Sequence, residues 1–189
     1  INDASTGPGL GLYYSVGETA GLKGQKRSLF AGGVRIPFIV RWPGTVPGGI
    51  VDKTTEMTTV DLLPTFLELA EVTSPKGYEP DGESIVSVLK GETYNRVKPI
   101  YWNWLYARNR TDFWPSAGIQ EANWKLLTNQ KLNRTELYNI STDWAERKDV
   151  SAENSGRVAA MMEKLHTFEA TLPTSPPDNC FSKERETLK

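Results

Sequence analysis

The feature that most constrains this chain is the run from Gly21 to Gly44, GLKGQKRSLFAGGVRIPFIVRWPG, where a glycine-rich basic loop passes directly into a stretch of strand-forming residues. In the loop, Lys23, Lys26 and Arg27 stand among Gly21, Gly24, Gly32 and Gly33, and glycine allows positive φ and close backbone approach. That is an anion site in outline. The G-x-x-x-x-G-K-[ST] spacing of a phosphate loop does not occur, and a solvated surface turn has the same composition. The second half, Ile36-Pro37-Phe38-Ile39-Val40-Arg41-Trp42, is almost continuously apolar or β-branched. It predicts a core strand buried on both faces and closed by Pro43-Gly44, with Pro37 early enough to cost at most one edge hydrogen bond.

A turn from Thr45 to Gly49 leads to Thr58–Phe66, which opens a helix. Asp61 is its expected N-cap, placing Pro64 at the third helical position, where the missing N–H has no intrahelical partner to lose. Leu62, Leu63, Phe66, Leu67 and Ala70 fall on one stripe, as a helix covering a sheet requires. Strand followed by covering helix is an α/β unit. A Pro/Gly loop over 74–80 then precedes a short helix from Ser84 to Lys90, with Gly91 as its C′ residue.

Near Gly91 to Lys98 a second, smaller unit is expected to begin. Its strands are predicted at Pro99–Tyr106, Gly118–Gln120, Trp124–Asn129 and Glu136–Ile140, followed by an amphipathic helix from Ser155 to Thr171 carrying Val158, Met161, Met162, Leu165 and Phe168 on one face. Trp102, Trp104, Trp114, Trp124 and Trp144 crowd this unit, and they are read as core in preference to a carbohydrate platform. His166, the single histidine, is read as a surface or packing residue. Residues 1–20 read as a loop, with Tyr13 and Tyr14 packing it down or stacking on a sugar ring, and the Pro-rich, then charged, end as an extended tail. The expected organisation is therefore 1–95, 96–172 and a tail at 173–189.

At 189 residues and a net charge of −1 with both signs interspersed, the chain has no global electrostatic case for a nucleic-acid partner. No apolar run approaches the ~18 residues of a membrane span. The start at Ile1, without Met or a signal-like segment, suggests that the true N-terminus lies upstream. Cys180 is the single cysteine, which excludes an internal disulfide framework; it is a spare thiol or pairs elsewhere. Asn109, Asn133 and Asn139 each begin an N-x-[ST] triplet and are glycosylation candidates if the chain is secreted.

Leu22-Lys23-Gly24, Lys26, Gly32-Gly33-Val34-Arg35, Pro37 and Trp42-Pro43-Gly44 together resemble the type I sulfatase segment L-R-G-x-K, four residues, E-G-G-[IV]-R-x-P and a strand ending in W-P-G. Asp61-Leu62-Leu63-Pro64-Thr65, Asn123-Trp124-Lys125-Leu126-Leu127 and Glu136-Leu137-Tyr138-Asn139-Ile140 are similar to later strings of the same family, of the arylsulfatase and N-acetylgalactosamine-6-sulfatase kind. The chain departs from the pattern at Arg27 (usually Gly), Ala31 (usually Glu), Gln120 (often Arg) and Ala122 (often Gly). The resemblance implies the C-terminal part of an alkaline-phosphatase-like α/β sulfatase domain, followed by a small antiparallel sheet with one helix. Asp61 then frames the fold and is not a nucleophile.

The resemblance assigns Lys26 to the active-site lysine, binding the sulfate and aiding its cleavage, whereas Lys23 and Arg35 become structural. It also implies a formylglycine nucleophile and calcium, but C-x-P-S-R is absent and Asn2-Asp3-Ala4 is not the family's metal motif, so no metal ligand is assigned here. The implied reaction is hydrolysis of sulfate esters on sulfated carbohydrates or aryl sulfates, in a secreted or lysosomal protein. It needs the missing N-terminal half, the chain alone being inactive, and a homo-oligomer is an open possibility. The competing readings are a phosphodiester or phosphonate hydrolase of the alkaline phosphatase superfamily and a non-catalytic module that binds sulfated glycan.

Overall fold

Four short segments, buried from both faces at their centre, build the main sheet of the protein. The computed structural model describes residues 18–26, 28–104 and 114–173, and within them β1 (Ile100–Asn103), β2 (Ala117–Glu121), β3 (Trp124–Asn129) and β4 (Arg134–Asn139) form an antiparallel sheet in the order β1-β2-β3-β4. Each strand stands where its residues predict one. β4 starts two residues early because Asn133, at φ 48°, turns the chain after the 3-10 turn Gln130–Leu132, so that Arg134 already pairs with Asn129.

Strand pairing aligns Tyr101, Ile119, Leu126 and Leu137 in one row across the sheet. The predicted helix, Ser155–Thr171 (here the last helix), lays Met161 and Leu165 on this row and stacks Phe168 on Tyr101, with ring centroids 4.3 Å apart. Leu126, Leu137 and Leu165 are wholly buried, and truncating such a leucine typically removes about 2–5 kcal/mol. His166 is exposed, as its place on the outer face of that helix requires.

On the other face, Trp102, Gly118, Lys125, Leu127, Glu136 and Tyr138 look toward residues 28–34, where Leu29, Phe30 and Trp114 join Leu127 and Tyr138 in a second core cluster. Gly118 is required here, since a Cβ would lie 2.7 Å from a methyl of Leu127. The tryptophans are mostly packing residues: Trp114 is buried and Trp102, Trp104 and Trp124 half-buried, while Trp144 is 53% exposed.

The first half of the chain is more open. It holds α1 (Ala31–Val34), α2 (Leu62–Leu69) and α3 (Val86–Leu89), with Gly91 at φ 79° ending α3 as expected; the long helix after the sheet is α4. Asp61 occupies the N-cap position of α2, but its side chain does not cap that helix. It accepts from the Thr58 and Glu83 amides at 2.7 and 2.9 Å and from both Nη atoms of Arg96 at 2.7 and 3.0 Å. Glu83 in turn receives the Tyr94 hydroxyl at 2.6 Å and the Lys98 amide at 2.9 Å. The stretch from Gly91 to Lys98 is thus tied back to α2 by a buried, bidentate ion pair, whose loss from either side would strand a charge.

Residues 36–42 do not form the strand that their composition predicts. Ile36, Phe38, Ile39 and Trp42 are 72%, 47%, 89% and 43% exposed, because no described strand runs beside them and a strand is buried only by its neighbours. The stripe of α2 is open for the same reason, with Leu63 47% and Phe66 58% exposed. The two surfaces face each other across an apolar groove of about 580 Å³ lined by Phe38, Val40, Trp42, Leu62, Phe66 and Leu69, among others.

Contiguous apolar surface of this kind drives association. The 189-residue chain by itself is expected to self-associate and to bind an apolar dye, and Ile39→Lys combined with Phe66→Glu to reduce both. A monomer with a sharp cooperative melt and no dye binding would contradict this. A second expectation concerns the turn between β2 and β3, where exposed Ala122 sits at φ 48°. An L-residue there costs roughly 1–2 kcal/mol, so Ala122→Gly should raise stability by about 0.5–1 kcal/mol after the greater freedom of unfolded glycine is subtracted, measurable by thermal melting.

Candidate functional site

Three glycines let the basic loop fold back on α1 at backbone contact distance. Gly24 adopts φ 78°, and the Gly32 amide donates to Lys23 O at 2.7 Å. A Cβ at Gly32 would lie 2.3 Å from Gly24 O, and one at Gly33 2.1 Å from Ser28 O, so neither position tolerates a side chain without displacement. The Ser28 amide closes a turn onto Gln25 O at 3.0 Å, with Lys26 at its tip. Lys26 is exposed and has no hydrogen bond or ion pair with any described residue. Arg27 lies outside the described residues, as do Tyr13, Tyr14, Asn109 and Cys180.

Lys23 behaves differently from the solvated cation that its position in the loop suggests. Its ammonium lies 4.1 Å from the Phe30 ring centroid, donates to the Tyr138 hydroxyl at 3.0 Å and stands 3.6 Å from Glu136. Tyr138 in turn donates to Glu136, and burial together with that bond pushes its phenol well above the ordinary tyrosine range. Arg134 also donates to Glu136, so the carboxylate is shared by two cations and a phenol. This cluster anchors the loop; it leaves Lys23 structural, as the resemblance implies. Arg35 is exposed, and its amide donates to Ala31 O at 2.9 Å, a backbone bond that any residue but proline could make there.

A second anchor comes from residues that the loop sequence does not reveal. Lys125 on β3 donates to Leu29 O at 2.8 Å and to Glu146 at 2.5 Å, while the other oxygen of Glu146 accepts the Ala31 amide at 2.7 Å. Both charged residues are buried, and Glu146 adopts φ 57°. Burial pushes the Lys125 ammonium below its usual range, opposed by the adjacent carboxylate. The available signal was period two: in Trp124-Lys125-Leu126-Leu127, Lys125 shares the inward face of Leu127 and so must find a buried partner. Nothing local marks Glu146.

Of the remaining sequence candidates, Asn133 is exposed at its left-handed turn, and Asn139 uses its Oδ1 to accept from the Ser141 hydroxyl at 2.7 Å. Gln120 is half-buried, and its side chain favours the ionised Glu56 carboxylate against burial. The described residues contain no group of three His, Cys, Asp or Glu side chains able to hold a metal ion. No helix among them is long and apolar enough to cross a membrane.

With this geometry in hand, comparison with known proteins identifies the class. Residues 22–171 match the family described as N-sulphoglucosamine sulphohydrolase, C-terminal, and the chain belongs to that sulfatase family. A sulfatase of Formosa agariphila is 34% identical over 145 residues, covering 70% of this chain and 26% of the relative. An N-acetylgalactosamine-6-O-sulfatase of Bacteroides thetaiotaomicron is 24% identical over 157 residues, or 77% of this chain and 29% of that protein. The solved structure of Ps i-CgsB in complex with k-i-k-neocarrahexaose superposes with a TM-score of 0.65 at 31% identity, covering 78% of this chain and 31% of that one. The chain thus spans between a quarter and a third of the length of these relatives.

Glu56 supplies a pH test of the contact between the two halves. Burial raises its carboxyl above the ordinary 4.5, against the Gln120 hydrogen bond and the Arg96 charge. A raised acid stabilises the fold when protonated, below the ordinary value, and that contribution is lost as pH rises through the folded one. Glu56→Gln should therefore leave the melting temperature unchanged well below pH 4.5 and raise it at pH 7. An equal change at both pH values would refute the assignment.

Proposed function

We propose that the complete protein hydrolyses sulfate esters on carbohydrate or aryl substrates, with Lys26 binding the sulfate group and the ester oxygen. Family membership supports the reaction class, and the observation that carries the residue assignment is an exposed Lys26, unpaired among the described residues, at the tip of a loop held by one buried and one half-buried anchor. Cleavage of the S–O bond moves negative charge onto the leaving oxygen, and a fixed ammonium near that oxygen lowers the barrier. A cation already paired within the fold, such as Lys23, has no such freedom.

The family also implies a formylglycine nucleophile and calcium. Neither fits the residues present: C-x-P-S-R does not occur in the sequence, and the described residues offer no cluster of metal ligands. In this proposal both belong to parts of the complete sulfatase outside these 189 residues, and the chain by itself is inactive. Secretion or lysosomal residence, glycosylation at Asn109, Asn133 or Asn139, and self-association of the complete enzyme belong to the same proposal.

In the complete enzyme, Lys26→Ala should lower kcat by roughly 10²–10³ with little change in melting temperature, the cost of removing one donor aimed at developing charge. Lys23→Ala should do the reverse, lowering the melting temperature because Glu136, Tyr138 and Phe30 lose their shared cation, while retaining most turnover. Steady-state hydrolysis of an aryl sulfate and thermal melts of the two variants check this. Turnover of Lys26→Ala equal to that of the parent would return Lys26 to an ordinary surface loop.

A further inference from the structure

The geometry points to Lys125 and Glu146 as positioning residues for catalysis, a buried ion pair whose role is to set where the Lys26 turn stands; this rests on the assignment of Lys26 above. The pair touches neither Lys26 nor any exposed surface, yet it holds the loop from both sides of one peptide segment: Lys125 takes Leu29 O at 2.8 Å and Glu146 takes the Ala31 amide at 2.7 Å. Those two backbone groups flank Phe30, which is wholly buried against Tyr138. Gly32 and Gly33 also press against the carbonyls of Gly24 and Ser28, which flank the Lys26 turn on either side, with no room for a Cβ. A displacement at Leu29 or Ala31 is therefore passed to the turn, not absorbed.

An ion pair is a poor choice for stability alone, since a buried pair often contributes no more than apolar residues of similar volume. Apolar residues, however, cannot satisfy a carbonyl and an amide that point from the loop into the sheet. An ammonium and a carboxylate joined at 2.5 Å do both, and each orients the other. Glu146 holds its carboxylate there from a left-handed backbone at φ 57°, a conformation that a side chain adopts only when its surroundings demand it.

The test uses the complete enzyme and an aryl sulfate. The neutral pair Lys125→Met/Glu146→Gln keeps the volume and an acceptor for the Ala31 amide, and leaves no unpaired charge; Glu146→Gln alone is the second variant. Both are expected to lower kcat by roughly ten- to a hundredfold, the scale of a misplacement near 1 Å, with KM little changed. Amide hydrogen exchange at Ala31 and Gly32 should quicken while that of β3 and β4 stays at the parent level. In a Lys26→Ala background the same substitutions should cost nothing further, because the pair acts through Lys26. Unchanged kcat in the folded variants, or an equal loss with and without Lys26, overturns the positioning role while leaving the assignment of Lys26 in place. Unchanged turnover of Lys26→Ala alone overturns both.

Discussion

The buried pair of Lys125 and Glu146 is the interaction on which the arrangement of this protein depends. It is where three parts of the chain that are distant in sequence become one body: the glycine-rich loop, the third strand of the sheet and the segment after the fourth. Charges at 2% and 0% exposure are tolerated because each is paired and each also satisfies a backbone group. The second anchor, Lys23 against Phe30, Tyr138 and Glu136, uses the same face of the sheet one strand away. Between them the anchors leave Lys26 as the loop cation that is described, exposed and unpaired.

Burial is divided unevenly, and the division follows from how each element finds its neighbours. The antiparallel sheet closes through short local connections, and α4 covers one face while the loop covers the other. Residues 36–42 and α2 have the composition of a sheet layer and its helix, but among the described residues they meet each other and the edge of α3 across an open groove. The position of α2 is nevertheless held, because Asp61, Glu83 and Arg96 knot the starts of α2 and α3 to the residues before β1 through backbone amides and a bidentate guanidinium. Polar contacts thus do in the first half what apolar packing does in the second.

Relatives of this chain carry sulfatase names, and the role proposed for Lys26 would give the loop a part in that chemistry. A sulfate ester asks for fixed positive charge, and a lysine at the end of four rotatable bonds is fixed only as well as its backbone. In the proposed role, glycines that admit backbone contact and an ion pair that holds the adjoining peptide would provide the rigidity that the side chain lacks.

Local pattern alone determined much of this. The strands expected at 118–120, 124–129 and 136–140, the period of 3.6 from Ser155 to Thr171, the place of Pro64 in the first turn of α2 and the glycine ending α3 all express preferences within a few residues, and the structure follows each of them to within two residues. The fold of the loop was legible too, since Gly24, Gly32 and Gly33 are requirements of backbone contact written in nearby residues. Tertiary structure decided what depends on partners far along the chain. It exposed residues 36–42, whose burial needs neighbouring strands, turned Asp61 from a helix cap into the acceptor of Arg96, and drew Lys23 out of solvent onto an aromatic ring. It also brought Glu146 to Ala31 across 115 positions of sequence, and no local preference encodes which distant charge will fill a buried site.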